Sequence, residues 1–193
     1  MPLSVASGLN ALAHCVDSMW APRADPINQA LALEGVRALN RGLPLVFREP
    51  HGLDGREQAL YGAYLAAVAF ASAGSGLHHK ICHVLGGMFG LPHAQTHAVV
   101  LPHVLALNAP AVPDRERRLA EAFGAESASG GLRSLRTRIG APHALRDHGL
   151  RESDIPAAID AILAVVPAGN PVTVTAAGLD LLLRRAWAGE EPE

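Results

Sequence analysis

Histidine is concentrated in one part of this sequence, and its spacing could place several imidazoles around one point. Six of the ten histidines lie between residues 78 and 103. His79 and His83 are four residues apart and therefore share one face of a helix. His93 follows a glycine-rich turn, so its helix can fold back to face them, and His97 lies one turn further on. This spacing predicts a polar site inside an otherwise apolar segment.

A second pair, Asn10 and His14, is four residues apart near the start of the chain. His14, His79 and His93 come from separate elements. Three such imidazoles, together with the amide oxygen of Asn10, would suit a divalent metal such as Zn²⁺ or Fe²⁺. Asp17 could orient the His14 imidazole, or it could be a surface charge. The alternative is a set of ordinary core histidines, but burying so many imidazoles without a role leaves many donors and acceptors to satisfy. The pattern favours a functional pocket and leaves a bound metal open.

Lys80 is the only lysine in the chain, beside 15 arginines. It is also the only formally charged residue between Glu57 and Asp114, and it directly follows His79. An unpaired ammonium in so apolar a segment would be costly. Lys80 could therefore be a cation aimed at an anionic ligand such as a substrate carboxylate, or a lysine at a helix start that extends its amine to water.

The composition is that of a folded globular domain. The 193 residues are 49% hydrophobic and 18% charged, with a net charge of −2. These values exclude a disordered chain and a disulfide scaffold. The near-neutral net charge also lacks the excess of positive charge that is typical of nucleic-acid-binding proteins. Cys15 and Cys82 lack a CxxC partner and are expected to be reduced thiols of a cytoplasmic protein. No membrane span is expected, because polar residues interrupt the long uncharged stretch after Gly74.

Hydrophobic residues that recur every three or four positions predict an all-α bundle of about nine helices. The predicted helices span residues 4–20, 26–41, 56–73, 77–88, 93–107, 113–123, 129–139, 153–165 and 175–187. Asp25 is predicted to cap the second helix, and Gly42 and Pro44 are expected to end it. Asp54 is expected to form a capping box before the third. Residues 58–107 are expected to form the buried centre, on which the predicted ligand histidines converge.

Two segments carry a resemblance to a known family. They are residues 7–14 (SGLNALAH) and residues 76–93 (GLHHKICHVLGGMFGLPH), the second continuing as AQTHAVVLP to residue 102. Both resemble the maleylacetate reductases of the iron-containing alcohol dehydrogenase superfamily, and residues 140–149 (GAPHALRDHG) resemble a helix connection of that family. The resemblance covers nearly the whole chain and implies a dehydroquinate synthase-like C-terminal helical domain.

In that superfamily an N-terminal α/β domain binds NAD(P), and a C-terminal helical domain supplies the metal and substrate residues. The resemblance therefore implies that residues 1–193 form only the helical domain, with the nucleotide-binding domain absent from this chain. It stays open whether the chain is a natural truncation, one half of a split enzyme or an expressed domain.

The resemblance also assigns residues to a metal. His14, His79 and His93 fall on the three metal-ligand histidines of the superfamily. Asn10 falls where the metal-dependent members carry an aspartate, and a neutral amide is a weaker ligand for a hard cation than a carboxylate. Iron or zinc is therefore expected to bind these four residues weakly or not at all.

Substrate and cofactor residues follow from the same resemblance. His83 falls beside the nicotinamide of NADH or NADPH, and Leu3 is expected on the cofactor side. His78, Lys80 and His97 are expected to bind a small dicarboxylate substrate. Lys80 and His83 are the expected catalytic residues, because the first can stabilise a developing negative charge and the second can donate a proton.

The implied reaction is hydride transfer from NAD(P)H to maleylacetate, which gives 3-oxoadipate in aromatic-compound degradation. The implied partners are a nucleotide-binding domain or subunit and further copies of the chain, because apolar surface near residues 3–9 and 84–89 would be exposed without that domain. Two other interpretations stay open. One is a metal-dependent alcohol dehydrogenase domain, and the other is an inactive helical domain that only oligomerises.

Overall fold

A computed structural model describes residues 2–192, and every regular element in that range is helical. The nine α-helices are α1 (Pro2–Ser18), α2 (Pro26–Arg48), α3 (Leu53–Ala73), α4 (Leu77–Phe89), α5 (His93–Asn108), α6 (Pro113–Phe123), α7 (Ala128–Arg138), α8 (Ile155–Leu163) and α9 (Ala176–Ala188). Short 3₁₀ segments lie in the connections at Ala109–Ala111, Leu145–His148 and Glu152–Asp154. The predicted all-α class is confirmed.

Helix α5 lies between two hydrophobic cores and is covered on both sides. One face, with Leu101 and Leu105, packs in a core shared with α1, α2, α3, α6 and α7. The opposite face, with Val100 and Val104, packs in a second core shared with α4, α8 and α9. Polar side chains on α5 are therefore enclosed within the protein unless they lie near its first turn.

Glycines allow α2 and α3 to pack closely as an antiparallel pair. A Cβ built on Gly42 would lie 2.7 Å from the backbone nitrogen of Ala59, and one built on Gly62 would lie 2.7 Å from Leu39 Cγ. Real Cβ contacts are not that short, so each site accepts only glycine without a shift. These positions therefore define where the two helices meet.

The expected end of the second helix at Gly42 and Pro44 is wrong, because α2 continues to Arg48. Pro44 has no N–H and forfeits one backbone hydrogen bond of the helix. Helix α3 nevertheless covers the last turn of α2 so closely that a Cβ on Gly55 would lie 2.8 Å from the Val46 nitrogen. Tertiary packing therefore outweighs the local helix-breaking signal.

The two predicted caps have different outcomes. Asp25 caps α2 as predicted, and its carboxylate accepts a hydrogen bond from the backbone N–H of Asn28 at 2.9 Å. The capping box predicted at Asp54 is wrong, because the N-cap of α3 is Gly52 and Asp54 lies inside the first turn. Its negative charge there still interacts favourably with the helix dipole.

Only part of the expected buried centre at residues 58–107 is buried. Helix α5 is enclosed, but α3 packs one face against α1 and α2 and exposes the other, where Leu60 is 73% and Tyr64 is 67% exposed. The apolar surface expected near residues 3–9 is smaller than predicted. Leu3 is exposed there, but Val5 and Leu9 are turned into the core. The segment at residues 84–89 is likewise divided between core and surface.

No single helix in residues 2–192 is long and apolar enough to cross a membrane. Helices α3 and α4 reach the required length and composition only as a pair, and their axes bend by 97° where they meet.

Candidate active site

Helices α1, α3, α4 and α5 bring the predicted site residues together. Helix α1 carries Asn10 and His14, and His79 lies in the first turn of α4. Helices α4 and α5 are joined by a short turn at Gly90, whose φ of 67° is a conformation that glycine adopts without strain. The turn makes α4 and α5 neighbours, so His93 at the start of α5 comes back towards the histidines of α4.

Six imidazole rings form a continuous group. We call it the histidine cluster: His14, His78, His79, His83, His93 and His97. Between ring centroids, His79 lies 4.8 Å from His14, 4.9 Å from His97 and 6.1 Å from His83. His93 lies 4.2 Å from His97. The predicted ligand histidines therefore converge as their spacing predicts, whereas their chemical roles remain predictions.

Phe70 of α3 covers one side of the histidine cluster. Its ring lies 4.4 Å from that of His14 and 4.3 Å from that of His79. Phe70 thus holds both imidazoles in place and keeps water from their faces. The sequence gives no sign of this role, because Phe70 is one of many apolar residues on α3.

Asp17 forms a hydrogen bond with His79, although the sequence suggested His14 as its partner. Asp17 is 1% exposed, and its Oδ2 accepts hydrogen bonds from His79 Nδ1 at 2.7 Å and from the Gly76 backbone N–H at 2.8 Å. Neither alternative from the sequence holds, because Asp17 is not at the surface and its side chain faces the start of α4 rather than His14. A Cβ on Gly76 would lie 2.4 Å from Asp17 Oδ1, so only glycine fits beside this carboxylate.

His78, Cys82 and His97 form a second, deeper group, which we call the buried trio. His78 Nε2 lies 3.0 Å from His97 Nδ1 and 3.7 Å from Cys82 Sγ. His78 is 1% and His97 0% exposed, and burial raises the pKa of the Cys82 thiol well above its usual value. The trio therefore lies beneath the site surface. Substrate contact by His78 and His97 stays a prediction, and the sequence analysis missed Cys82, although its spacing of four from His78 was a usable signal.

Other predicted site residues border the solvent side. His83 and His93 are exposed, and Lys80 is half-buried. Asn10 is half-buried, and its Oδ1 is buried without a hydrogen-bond partner among the described residues. Leu3 is 67% exposed in the first turn of α1, so its side chain is free to meet another surface. The cofactor contacts assigned to Leu3 and His83 remain predictions.

Burial keeps the inner imidazoles neutral. Desolvation, and then repulsion from neighbouring imidazoles, lowers the pKa of His14 to about 4 and that of His97 to about 2. The same causes hold the pKa of His78 well below its usual value and also lower that of His83. At neutral pH His14, His78 and His97 therefore offer hydrogen-bond donors and acceptors, and Lys80, next to His79 in α4, is the basic side chain of this segment.

Comparison with known proteins agrees with this arrangement. The family model described as "Fe-containing alcohol dehydrogenase family, C-terminal" matches residues 4–187. The chain belongs to this family. Maleylacetate reductase of Pseudomonas knackmussii is 45% identical over 193 residues, which are all of this chain and 54% of that protein. The chain thus spans about half the length of the curated relatives it matches.

Solved structures of this family have the same fold. The iron-containing alcohol dehydrogenase of Corynebacterium glutamicum superposes with a TM-score of 0.98 at 61% identity, over 99% of this chain and 54% of that one. Maleylacetate reductase of Rhizobium sp. strain MTP-10005 gives a TM-score of 0.93 at 41% identity, with the same coverage of both chains. The predicted resemblance to maleylacetate reductases is confirmed.

The family name implies iron, and the geometry allows the fit of the predicted ligands to be tested. Within residues 2–192, three potential donors come within 4.8 Å of one another at the buried trio and not at His14, His79 and His93. His14 and His79 are stacked, with ring centroids 4.8 Å apart and planes 29° apart. Asn10 adds a partnerless oxygen but no negative charge. As arranged, these residues do not fit a resident divalent ion, and no reaction step is derived through one.

Proposed function

We propose that this chain is the substrate-side half of an NAD(P)H-dependent reductase that converts maleylacetate to 3-oxoadipate. The observation that carries this proposal is the histidine cluster, in which His14, His78 and His97 are held neutral, with Lys80 next to His79 in α4. A dicarboxylate needs at least one cation to bind, and a conjugated ketone needs neutral donors at its oxygen. The 45% identity to a protein named maleylacetate reductase supports the same substrate.

The reaction adds a hydride to the carbon β to the ketone, and the electron pair of the C=C bond moves to the ketone oxygen as an enolate. A proton on the α carbon then completes the reduction. NAD(P)H, when bound, supplies the hydride. The residues of this chain bind and orient the substrate. Lys80 pairs with a carboxylate, the imidazole N–H groups stabilise the enolate oxygen, and exposed His83 lies where a nicotinamide can approach.

The proposal requires a nucleotide-binding domain as partner, in cis or in trans, and it includes association of the chain with further copies. Hydride transfer needs donor and acceptor carbons held in one geometry, and such positioning can contribute about 7–11 kcal/mol of a barrier. The all-helical residues 2–192 contain no strand–turn–helix unit that would hold a dinucleotide. We therefore expect the 193-residue chain alone to show no NADH oxidation with maleylacetate and a solution mass above 20.2 kDa.

The experiment is to fuse the chain to the N-terminal half of the Pseudomonas knackmussii reductase and to follow NADH absorbance. We expect turnover with maleylacetate, and a Lys80→Met variant should raise KM for this dianion more than it lowers kcat. Arg184, an exposed cation on α9, provides the control variant Arg184→Met, which should leave both constants unchanged. A folded fusion that binds NADH but does not reduce maleylacetate would contradict the proposal and favour an inactive oligomerising domain.

A second candidate is a metal-dependent alcohol dehydrogenase domain. It is favoured by the 61% identity to a structure named iron-containing alcohol dehydrogenase. The same fusion distinguishes the two functions. Oxidation of simple alcohols that depends on added Fe²⁺ or Zn²⁺ would support the second candidate, whereas metal-independent reduction of maleylacetate would support the first.

A further inference from the structure

His79 and His97 each have one ring nitrogen in a hydrogen bond and the other buried without a partner. His79 bonds through Nδ1 to Asp17, and His97 bonds through Nδ1 to His78. The Nε2 atoms of both rings are partnerless among the described residues. The two rings lie 4.9 Å apart between centroids at an angle of 65°. The partner of each Nδ1 determines whether the free Nε2 donates or accepts.

The tautomer of His79 follows directly from its partner. A carboxylate can only accept, so His79 Nδ1 must carry the hydrogen that lies on Asp17 Oδ2. In the neutral imidazole, the Nε2 atom is then a bare acceptor.

The tautomer of His97 follows from where an unpaired N–H can be tolerated. If His97 Nδ1 carried the shared hydrogen, His78 would keep its own hydrogen on Nδ1, which is buried and without a partner. If His78 Nε2 carries it, His78 Nδ1 becomes an unpaired acceptor, and the unpaired N–H moves to His97 Nε2. Buried N–H groups without a partner are rarer than unpaired acceptors. The second arrangement is favoured because it places the unpaired N–H on the ring that lies 4.9 Å from His79, whose Nε2 is a buried acceptor without a partner among the described residues.

Cys82 agrees with the second arrangement. Its sulfur lies 3.7 Å from His78 Nε2 and can accept a share of a hydrogen on that nitrogen. A hydrogen on His78 Nε2 therefore has two acceptors, His97 Nδ1 and Cys82 Sγ. If Nε2 carried no hydrogen, its one lone pair would have to serve two donors, the N–H of His97 and the thiol of Cys82.

We propose that His78 is a positioning residue that fixes His97 as an Nε2–H donor, so that His97 and the acceptor His79 together bind a hydroxyl oxygen. Such an oxygen accepts from His97 and donates to His79, which no ketone or carboxylate oxygen can do. We infer that a water molecule takes this place in the free protein. For a ligand the group is an alcohol or enol hydroxyl on a dicarboxylate, an identification that rests on the proposed function.

The tautomers can be measured on the chain itself, without activity. Long-range ¹H–¹⁵N correlation of the ¹⁵N-histidine-labelled chain distinguishes a protonated ring nitrogen from a bare one. We expect a protonated Nε2 at His97 and a bare Nε2 at His79. A protonated Nδ1 at His97 would overturn the proposal, whatever the chain catalyses.

Two variants test the role of His78. His78→Phe keeps a ring but removes the donor, and we expect His97 to show a mixture of tautomers. His78→Gln retains an amide N–H that can reach His97, and we expect the wild-type tautomer to return. His103→Phe is the matched control, since it removes another buried imidazole from outside the cluster and should leave His97 unchanged. A His97 tautomer that stays fixed in a folded His78→Phe variant, or is lost in His78→Gln, would overturn the assignment.

A pair of ligands tests the hydroxyl subsite. 3-Hydroxyadipate and adipate differ only by one hydroxyl, and we expect the first to bind about tenfold more tightly to the wild-type chain. That preference should disappear in His78→Phe and persist in His78→Gln and in the control. Equal binding of the two ligands to the wild-type chain would overturn the subsite. Failure of both to bind, with the tautomers as expected, would instead contradict the proposed dicarboxylate function.

Discussion

Replacing Asp17 by alanine should destabilise the protein far more than a typical loss of one charge. The Asp17 side chain is buried and accepts hydrogen bonds from His79 Nδ1 and from the Gly76 backbone. Both donors would be left buried and unpaired, at about 1–3 kcal/mol each. Removing a buried carboxylate relieves part of this cost, since its own desolvation is unfavourable. We therefore expect Asp17→Ala to lower the free energy of unfolding by about 3 kcal/mol.

The assay is urea and thermal unfolding of the purified chain followed by circular dichroism. A loss of about 3 kcal/mol corresponds to a fall in Tm of roughly 6–12 °C for a chain of this size. Asp17→Asn keeps one acceptor oxygen and should lose about 1 kcal/mol. The matched control is Asp180→Ala, which removes a 41% exposed aspartate paired with Arg184 and should change stability by less than about 1 kcal/mol. An Asp17→Ala protein as stable as this control would refute the reasoning that the carboxylate holds the start of α4.

Three further predictions follow from single positions. Gly76→Ala should lower the Tm clearly, because the new Cβ would lie 2.4 Å from Asp17 Oδ1. The control is Gly87→Ala, a helical position with nothing within 4 Å of the new Cβ, where the free energy of unfolding should rise by about 0.5–1 kcal/mol. Equal effects of the two substitutions on Tm would contradict the close contact at Gly76. His103 has its pKa lowered to about 4 by burial and then by Arg136 and Arg185, so the wild-type protein should lose stability as pH falls from about 6.5 to 4. His103→Leu should flatten that part of the stability curve by up to about 3 kcal/mol, and an unchanged slope would refute the assignment. Asn10→Asp should retain more Zn²⁺ than wild type in elemental analysis after dialysis against chelator, unless the wild-type chain already holds one equivalent.

The helices themselves could be predicted from the sequence because their pattern is local. Hydrophobic periodicity and the Asp25 cap depend on residues within a few turns of each other. The continuation of α2 past Gly42 and Pro44 could not be predicted in this way, because it depends on α3 lying against those residues. The local sequence shows that a proline in a helix costs free energy. Whether packing against a neighbouring helix outweighs that cost can be seen only in the folded structure.

The histidines of the candidate site were predicted from the sequence, whereas Phe70, Cys82 and the hydrogen bonds within the site were not. Spacing alone placed His79, His83 and His93 on facing helices, and the turn between those helices is short enough to fix the approach. The partner of Asp17 was not predictable, because the choice between His14 and His79 depends on how α1 rotates against α4. The depth of His78 was also hidden, since adjacent residues on a helix point about 100° apart and the sequence does not show which one faces the core.

Two chemically different histidines therefore arise from one residue type, and the difference lies in their partners. Asp17 is buried, and its Oδ2 accepts hydrogen bonds from His79 Nδ1 and from the Gly76 backbone N–H at the start of α4. That carboxylate forces the hydrogen of His79 onto Nδ1 and leaves Nε2 as an acceptor. His78, which is neutral and buried, can instead donate to His97 and leave it as a donor. A site that must bind one oxygen through both a donor and an acceptor needs this asymmetry. Helix packing provides it through Asp17 and His78, the hydrogen-bond partners of the two rings.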